Sequence, residues 1–259
     1  MKAKQFYGSE SARQSLQESG LVDFESLWTL DAGWFEAPNQ RRGGWSGVSR
    51  YRLKDGHYVF IKRQQNHSFR SWRYLFRAIP TFTRELSRIL GFASAHIPAL
   101  ELVYFGQREH GKDMQSILVT WELAGFKSLD DPAFVPLRRL DRASRHALIA
   151  ETAAVVRQMH AYRYQHNCLY PKHIFARLNA GPSAEVRLID LEKVKWRPAR
   201  RFAMLRDLGT LYRHVEGWTA TDQLRFFLAY RQESGLTATS KRILRKILRG
   251  TRKKLARRA

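Results

Sequence analysis

Two short stretches of the sequence hold residue types that could move a proton or bind a metal ion. Residues 165–175 read QHNCLYPKHIF, in which His166 and His173 flank Cys168. Further along, Asp190 ends the short apolar run RLID. A carboxylate at the end of a strand can hold Mg²⁺ against the phosphates of a nucleotide. The plainer interpretation of Asp190 is an aspartate that caps a turn.

A lysine and a glutamate earlier in the chain could serve the same nucleotide. Lys62 lies in YVFIK, which is typical of a strand, and Glu85 lies in FTREL, where apolar residues recur at helical spacing. A lysine so placed can pair with the α- and β-phosphates and with a glutamate on the next helix. Either residue alone would more often face solvent, so the pair gains weight from its order behind a glycine-rich turn.

That turn lies in RRGGWSGVSRY and contributes Gly43, Gly44 and Gly47. Because glycine has no Cβ, its backbone N–H groups can approach phosphate oxygens closely. A simple hairpin turn would have the same sequence. The missing GK[ST] ending excludes a Walker A loop.

The elements that must position these residues begin with a small sheet. Residues 33–64 predict three strands joined by a glycine turn and an Asp-Gly hairpin turn. A helix follows and is expected to end near Gly91, and two more strands are expected in 99–107 and 114–123. Together these segments predict a small antiparallel sheet with one main helix.

The second half of the chain is expected to be mostly helical. A long helix over 143–163 leads into the loop that holds Cys168, and helices follow in 202–233 and 240–257. The sequence therefore predicts an α+β fold with a small sheet lobe and a larger helical lobe. The predicted segments are an arm or helix at 1–30, the sheet lobe at 31–125, the helical lobe at 126–238 and a basic amphipathic helix at 239–259.

Composition limits the class of protein. The 259 residues are 44% hydrophobic, which is enough for a sizeable core. The single cysteine excludes a disulfide within the chain and a cysteine-based zinc site. The N-terminal sequence holds no apolar run, so we expect neither a signal peptide nor an anchor, and a reducing, cytoplasmic setting.

Charge is the strongest compositional signal. Lys and Arg number 46 against 23 Asp and Glu, which gives a net charge of +23. An excess this large indicates an anionic partner, which could be a nucleic acid, an anionic membrane leaflet or a phosphorylated substrate.

Two segments concentrate this charge. The segment 241–258 combines basic residues with an apolar stripe, which is typical of a helix on a membrane surface. The stripe consists of Ile243, Leu244, Ile247, Leu248 and Leu255. The basic and aromatic segment 67–79 could contact lipid headgroups or a phosphorylated sugar. The plainer interpretation of both segments is a solvated surface.

Taken in order, these features resemble the bacterial lipopolysaccharide core kinases, a family distantly related to protein kinases. The resemblance runs through the glycine turn, VFIK, TREL, QHNCLYPKHIF, LIDLEKV and RDLGTLYR, and covers roughly residues 40–230. Its most specific part is the loop, because His173 follows Cys168 by five positions, the spacing within the kinase catalytic loop. It implies a bilobal, protein-kinase-like fold and the phosphorylation of heptose or Kdo sugars with ATP and Mg²⁺.

The resemblance also implies a role for each matching residue. Gly43, Gly44 and Gly47 would cover the phosphates, and Lys62 and Glu85 would form an ion pair. The backbone of Glu122 and Leu123 would bind adenine, while His173 and Asp190 would hold Mg²⁺. Asp207 would brace the loop that holds Cys168, and His166 would pack beneath that loop. The catalytic set of this region would be His166, Cys168 and Asp190.

Cys168 departs from the family pattern, which has an aspartate there as acceptor of the sugar hydroxyl's proton. General-base help is typically worth ~10²–10⁴ in rate, so an enzyme without it could still turn over slowly. Lys172 and the two loop histidines could lower the pKa of the thiol, but a thiolate there would face the negative γ-phosphate. The alternative is a pseudokinase that binds ATP and regulates or scaffolds envelope biosynthesis.

The sequence thus predicts an ATP-dependent kinase of an inner-core sugar hydroxyl of lipopolysaccharide, cytoplasmic and peripheral at the inner face of the bacterial inner membrane. Its partners would be lipopolysaccharide core or another anionic glycolipid, and an anionic membrane surface contacted through 241–258. A nucleic-acid-binding protein is disfavoured because no such module is recognisable. An aminoglycoside- or choline-type kinase is disfavoured because those substrates are cationic.

Overall fold

The chain divides into two compact units. The computed structural model describes residues 4–41, 43–70 and 78–255. The first unit comprises Met1–Gly91 and Leu100–Ala124, and the second comprises Phe92–Ala99 and Gly125–Ala259. Most of the basic and aromatic segment 67–79, and the end of the segment 241–258, lie outside the described residues.

The first unit is built on a six-stranded sheet in which every neighbouring pair is antiparallel. Its strands are β1 (Lys4–Tyr7), β2 (Glu36–Arg41), β3 (Gly44–Arg52), β4 (Tyr58–Gln65), β7 (Leu102–His110) and β8 (Asp113–Trp121), in the order β1-β7-β8-β4-β3-β2. A separate short hairpin consists of β5 (Ser68–Arg70) and β6 (Ala78–Pro80). The predicted Asp-Gly turn joins β3 to β4, where Gly56 has a φ of 89°.

Two short helices at the N-terminus pack into the core of the first unit. They are α1 (Glu10–Glu18), capped by Ser9, and α2 (Phe24–Thr29), capped by Asp23. Leu16 and Leu27 are fully buried in one hydrophobic cluster with Ile61 of β4. The segment predicted as an arm or helix is therefore part of the packing of this unit, and its first strand pairs with β7.

The face of β4 that points away from this core carries Lys62. Side chains alternate along a strand, so Val59 and Ile61 point into the core and Lys62 points to the other face. The main helix, α3 (Thr81–Ser94), supplies Glu85.

The helix α3 continues past the end predicted near Gly91. His96 has a φ of 51°, its N–H bonds to the Ala93 carbonyl, and the N–H of Ile97 bonds to the Phe92 carbonyl. This is a left-handed helix stop, which needs a suitable residue after the last turn rather than a glycine within it.

The second unit is mostly helical, as predicted. Its helices are α4 (Arg142–Ala161), α5 (Arg200–His214), α6 (Ala220–Arg231) and α7 (Ala238–Leu255). A three-stranded sheet holds β9 (Lys127–Ser128), β11 (Ile174–Leu178) and β12 (Ala184–Leu188), and β10 (Tyr164–Gln165) pairs with β13 (Lys195–Trp196).

The helical segment predicted at 202–233 consists of α5 and α6. The break between them contains Gly217, which has a φ of 68°. A side chain at this position would place its Cβ only 2.6 Å from Pro136 Cα, so only glycine fits. Thr219 then caps α6 by accepting a hydrogen bond from the N–H of Asp222.

The C-terminal helix α7 packs against α5. Ile247 from its apolar stripe is 2% exposed, whereas Leu248 is 36% exposed. Part of the stripe is therefore used within the unit. Among the helices in the described ranges, none combines the length and apolar composition needed to cross a bilayer.

Candidate active site

Lys62 and Glu85 meet in the first unit. Lys62 Nζ donates a hydrogen bond to Glu85 Oε1 over 2.7 Å, and Glu85 is 3% exposed. Removing the cation from so buried a carboxylate would leave an uncompensated charge, so the two side chains hold each other in place. The Lys62 side chain remains 22% exposed, so its ammonium group could also meet a phosphate.

The three predicted phosphate-binding glycines differ in their surroundings. Gly43 lies in the turn between β2 and β3 with a φ of 76° and open space around it. A Cβ on Gly44 would lie 2.1 Å from the Gln65 carbonyl oxygen, and one on Gly47 would lie 2.6 Å from the Trp34 ring. Gly44 and Gly47 thus have packing reasons to be glycine, and Gly43 alone of the three has the open turn geometry.

Glu122 and Leu123, the predicted adenine-binding pair, follow β8. The Glu122 N–H donates to the Tyr58 carbonyl at 2.9 Å, and its own carbonyl accepts from the Ala124 N–H at 3.0 Å. The Glu122 carboxylate accepts two hydrogen bonds from Arg50, at 3.1 and 2.8 Å. Within the described residues the Leu123 backbone makes no such bond.

In the second unit, Asp207 on α5 braces the loop that holds Cys168, as predicted. Its carboxylate accepts the backbone N–H groups of His166 at 2.6 Å and Asn167 at 2.9 Å. His160 Nε2 lies 3.1 Å from the same carboxylate, and both Asp207 and His160 are fully buried. Two successive fixed N–H groups hold the loop backbone in one conformation, which is how a site is preorganised.

His166 is fully buried beneath the loop. Its Nε2 lies 3.0 Å from the Ile189 carbonyl, which can only accept, so Nε2 carries the hydrogen. Burial lowers the pKa of His166, and among the described residues its Nδ1 has no hydrogen-bond partner that would receive a second proton. The ring is neutral and packs, and its burial keeps it away from a substrate.

The surroundings of Cys168 do not favour the thiolate that a proton acceptor at this position would need. Burial raises the pKa of the Cys168 thiol, and the carboxylates of Asp190 and Asp207 raise it further against the opposing charges of Lys193 and Arg206. The thiol is therefore protonated near neutral pH. The basic residues adjacent in sequence do not decide this pKa, because desolvation and the folded neighbours outweigh them.

His173 and Asp190 form the pair that could hold a metal ion. His173 Nδ1 lies 2.8 Å from the Cys168 carbonyl, so it donates there, and Nε2 faces Asp190 Oδ2 at 3.5 Å. In the neutral ring the Nε2 lone pair is thus aimed toward the carboxylate, and metal-binding histidines are commonly oriented by such a hydrogen bond from their other ring nitrogen.

The donor set fits a divalent cation that takes its remaining ligands from a nucleotide. Within the described ranges, no group of three or more His, Cys, Asp or Glu side chains could hold a metal alone. Mg²⁺ is usually bound by one or two carboxylates together with phosphates and water. The Asp190 side chain is 33% exposed and could take part in such a site.

Three contributors to the site were missed in the sequence. His160 bridges Asp207 and the Tyr230 hydroxyl, which lies 2.9 Å from its Nδ1. Asn167 has a φ of 67° and its Nδ2 donates to the Lys193 carbonyl at 2.7 Å. The available signal for His160 was a histidine on the apolar face of α4 just before the loop. Nothing in the sequence indicated that Arg50 would bind the Glu122 carboxylate.

The fold defines the class of protein. The chain is similar in structure to WaaP in complex with acyl carrier protein, with a TM-score of 0.68, 20% sequence identity and coverage of 98% of each chain. The fold is therefore protein-kinase-like, as predicted, with mixed helices and strands and an antiparallel sheet.

The sequence comparisons then give the family. The lipopolysaccharide kinase (Kdo/WaaP) family matches over residues 25–230. Protein InaA of Escherichia coli (strain K12) is 31% identical over 195 residues, which is 75% of this chain and 88% of that protein. The chain belongs to the lipopolysaccharide kinase (Kdo/WaaP) family, which confirms the resemblance.

Proposed function

We propose that this chain transfers the γ-phosphate of ATP to a hydroxyl group of an inner-core sugar, heptose or Kdo, of lipopolysaccharide. The observation that carries the proposal is Asp190, which faces His173 and has a φ of 57°. A left-handed backbone at a non-glycine residue costs of order 1–3 kcal/mol, and such residues are enriched at functional sites. Membership of a lipopolysaccharide kinase family supports the reaction class.

The proposed roles follow from the contacts within each unit. Lys62, oriented by buried Glu85, would bind the α- and β-phosphates, and the Gly43 turn would approach them through its backbone. Leu123 would bind adenine through its backbone. His173 and Asp190 would hold Mg²⁺, which when bound neutralises charge on the transferred phosphoryl group.

Cys168 makes this a slow enzyme in the proposal. The transition state of phosphoryl transfer is loose, and positioning and charge neutralisation supply most of the catalysis. A protonated thiol cannot accept the hydroxyl proton, so the rate would lack a factor of ~10²–10⁴. The same observation favours the second candidate, a pseudokinase that binds ATP and regulates or scaffolds envelope biosynthesis.

Transfer of labelled phosphate from ATP to purified lipopolysaccharide core tests the proposal. We expect slow transfer by the wild type and loss of at least ~10²-fold in Asp190→Ala, because the metal-binding carboxylate is gone. Asp130→Asn, at an exposed aspartate of the second unit, is the matched control. No transfer by the wild type but transfer by Cys168→Asp would favour the pseudokinase, and no transfer by any of them would overturn the proposed reaction.

We infer an anionic acceptor and a peripheral position at the inner face of the bacterial inner membrane from the charge. The net charge of +23 supports both, and the exposed side chains of α7 add a cationic face. These exposed residues are Lys241, Arg242, Arg245, Lys246 and Arg249. Fractionation of cells at low and high salt checks the location, since charge-held proteins leave the membrane fraction as salt rises.

A further inference from the structure

Three large exposed aromatic side chains of the second unit lie in or within six residues of the paired strands β10 and β13. Tyr162, Trp196 and Phe202 are each 51% exposed. Single exposed hydrophobic residues are common, but a group of large aromatics in one region marks an interaction surface.

Exposed arginine and lysine side chains lie next to these aromatic residues. The Arg163 guanidinium lies 5.8 Å from the centre of the Trp196 ring, and the Arg201 guanidinium lies 5.1 Å from that of Phe202. Lys195 is also exposed. We call these six residues the ribbon surface: Tyr162, Arg163, Lys195, Trp196, Arg201 and Phe202.

The chain segments that form the ribbon surface contain no acidic residue. No Asp or Glu occurs over 152–184 or over 193–206, whereas the second of these ranges holds six Lys and Arg. These segments therefore carry only positive charge, interleaved with aromatic rings.

The ribbon surface is tied to the candidate active site by backbone hydrogen bonds. The strand β10, next to His166, pairs with β13, so that Tyr164 lies opposite Trp196 and Gln165 opposite Lys195. The Arg197 N–H donates to the Arg163 carbonyl at 2.8 Å. Whatever binds the ribbon surface is thereby held within a few residues of Cys168.

We propose that the ribbon surface inserts into the headgroup region of an anionic membrane and brings the loop to its acceptor there. Tyr and Trp place an apolar ring at the edge of the acyl chains and a polar group among the headgroups. Lys and Arg add attraction to anionic lipid, and their stems can lie along apolar surface. A lipid interface is the partner that matches exposed aromatics and uniform positive charge together.

In this arrangement the apolar side chains that enter the membrane belong chiefly to the ribbon surface and not to α7. Ile247 of the α7 stripe is buried within the unit, whereas Leu248 is exposed, so only part of that stripe is open to lipid. Binding to lipid does not depend on phosphate transfer, but the delivery of an acceptor rests on the proposed function.

Vesicle binding without nucleotide tests the proposal. The vesicles contain phosphatidylglycerol and phosphatidylcholine in equal parts, and a matched set contains phosphatidylcholine alone. The double variant Trp196→Ser/Phe202→Ser should bind the anionic vesicles about 50-fold more weakly, because it loses two aromatic rings that would be buried in the membrane. Lys195→Ser/Arg201→Ser should lose about 25-fold, or about fivefold per cation.

The controls change the same residue types elsewhere. Phe35→Ser removes an aromatic that is 61% exposed in the first unit, and Lys112→Ser removes an exposed lysine. Neither should change vesicle binding. As a second readout, acyl chains brominated near the headgroup should quench tryptophan fluorescence, and Trp196→Phe should lose most of that quenching while still binding.

The outcomes separate this proposal from the proposed function. Equal vesicle binding by the wild type and both double variants, or quenching that Trp196→Phe leaves intact, would overturn it. So would tighter binding to single-stranded oligonucleotides than to vesicles at matched salt. Phosphorylation of water-soluble, deacylated core is assayed separately: its absence with normal vesicle binding would count against the kinase and not against the ribbon surface.

Discussion

Cys168 is the residue on which the rate of the proposed reaction depends. Its neighbours Asp190 and Asp207 raise the pKa of its thiol, in addition to burial. Near neutral pH the side chain is therefore uncharged. Since phosphoryl transfer depends more on positioning than on proton abstraction, the missing carboxylate should lower the rate without removing the reaction.

Replacing Cys168 by aspartate should increase the turnover number by about 10²-fold, because a carboxylate at this position can accept the hydroxyl proton. The measurement is phosphate transfer from labelled ATP at saturating acceptor. Cys168→Asn has nearly the size of aspartate without its charge and should show no such gain. If Cys168→Asp is no faster than Cys168→Asn, the proton is not accepted at this position.

His166 should make stability depend on pH. Its pKa is lowered in the folded protein, chiefly by burial, from an ordinary value of about 6.5. As pH falls below about 6.5 the unfolded chain binds the proton first, so the free energy of unfolding decreases, by at most about 1.4 kcal/mol per pH unit from this group.

The comparison variant is His166→Gln, which keeps an N–H donor for the Ile189 carbonyl but does not titrate. Urea unfolding between pH 5 and pH 7 should give a shallower dependence on pH for the variant than for the wild type. The half-buried His146, whose pKa is also lowered, is present in both proteins and cancels in the difference. Parallel curves would show that His166 is not held neutral.

At the residue scale, the sequence indicated which residues could take part in the chemistry, but it did not reveal the burial and the folded neighbours that set their pKa values. Lys62 and Glu85 were paired correctly because their order matches a known arrangement. The direction of the Cys168 pKa shift could not be read from the sequence, because it depends on burial and on carboxylates distant in sequence. His160 was missed for the same reason, since its partner Asp207 is 47 residues away.

At the scale of elements, Asp207 joins α4, α5 and the loop that holds Cys168 through one carboxylate. We predict that Asp207→Asn lowers the free energy of unfolding by about 2–3 kcal/mol. Asparagine has a single acceptor oxygen and brings two N–H donors toward the backbone N–H groups of His166 and Asn167.

Urea unfolding measures this effect, and phosphate transfer should fall as well because the loop loses its fixed conformation. Glu216→Gln, at an exposed residue, removes a carboxylate from the same unit and should change stability by less than about 0.5 kcal/mol. Equal stability of Asp207→Asn and the wild type would show that the loop is held by its other contacts.

Elements with strong local signals were predictable and those defined by distant partners were not. The β3–β4 hairpin follows from an Asp-Gly turn between alternating strands. The strand β1 has four residues and no clear alternation, and it exists because it pairs with β7. The break between α5 and α6 depends on the approach of Gly217 to Pro136, which the helical pattern does not reveal.

At the scale of the whole molecule, two sources of membrane affinity should respond differently to salt. Attraction between the net charge of +23 and anionic lipid is screened, with a Debye length of about 10 Å at 0.1 M and about 3 Å at 1 M salt. Insertion of Trp196 and Phe202 removes apolar surface from water, and this contribution is not screened.

Binding to phosphatidylglycerol vesicles should therefore fall steeply as salt rises from about 0.05 to about 0.3 M and then level off at a residual affinity. In Trp196→Ser/Phe202→Ser the residual affinity should disappear, while the steep part is kept because the cations remain. Binding to an oligonucleotide should instead fall along a straight line of log affinity against log salt, since counterion release dominates it. A vesicle curve for the wild type that follows the same straight line, with no plateau, would mean that charge alone holds the protein at the membrane.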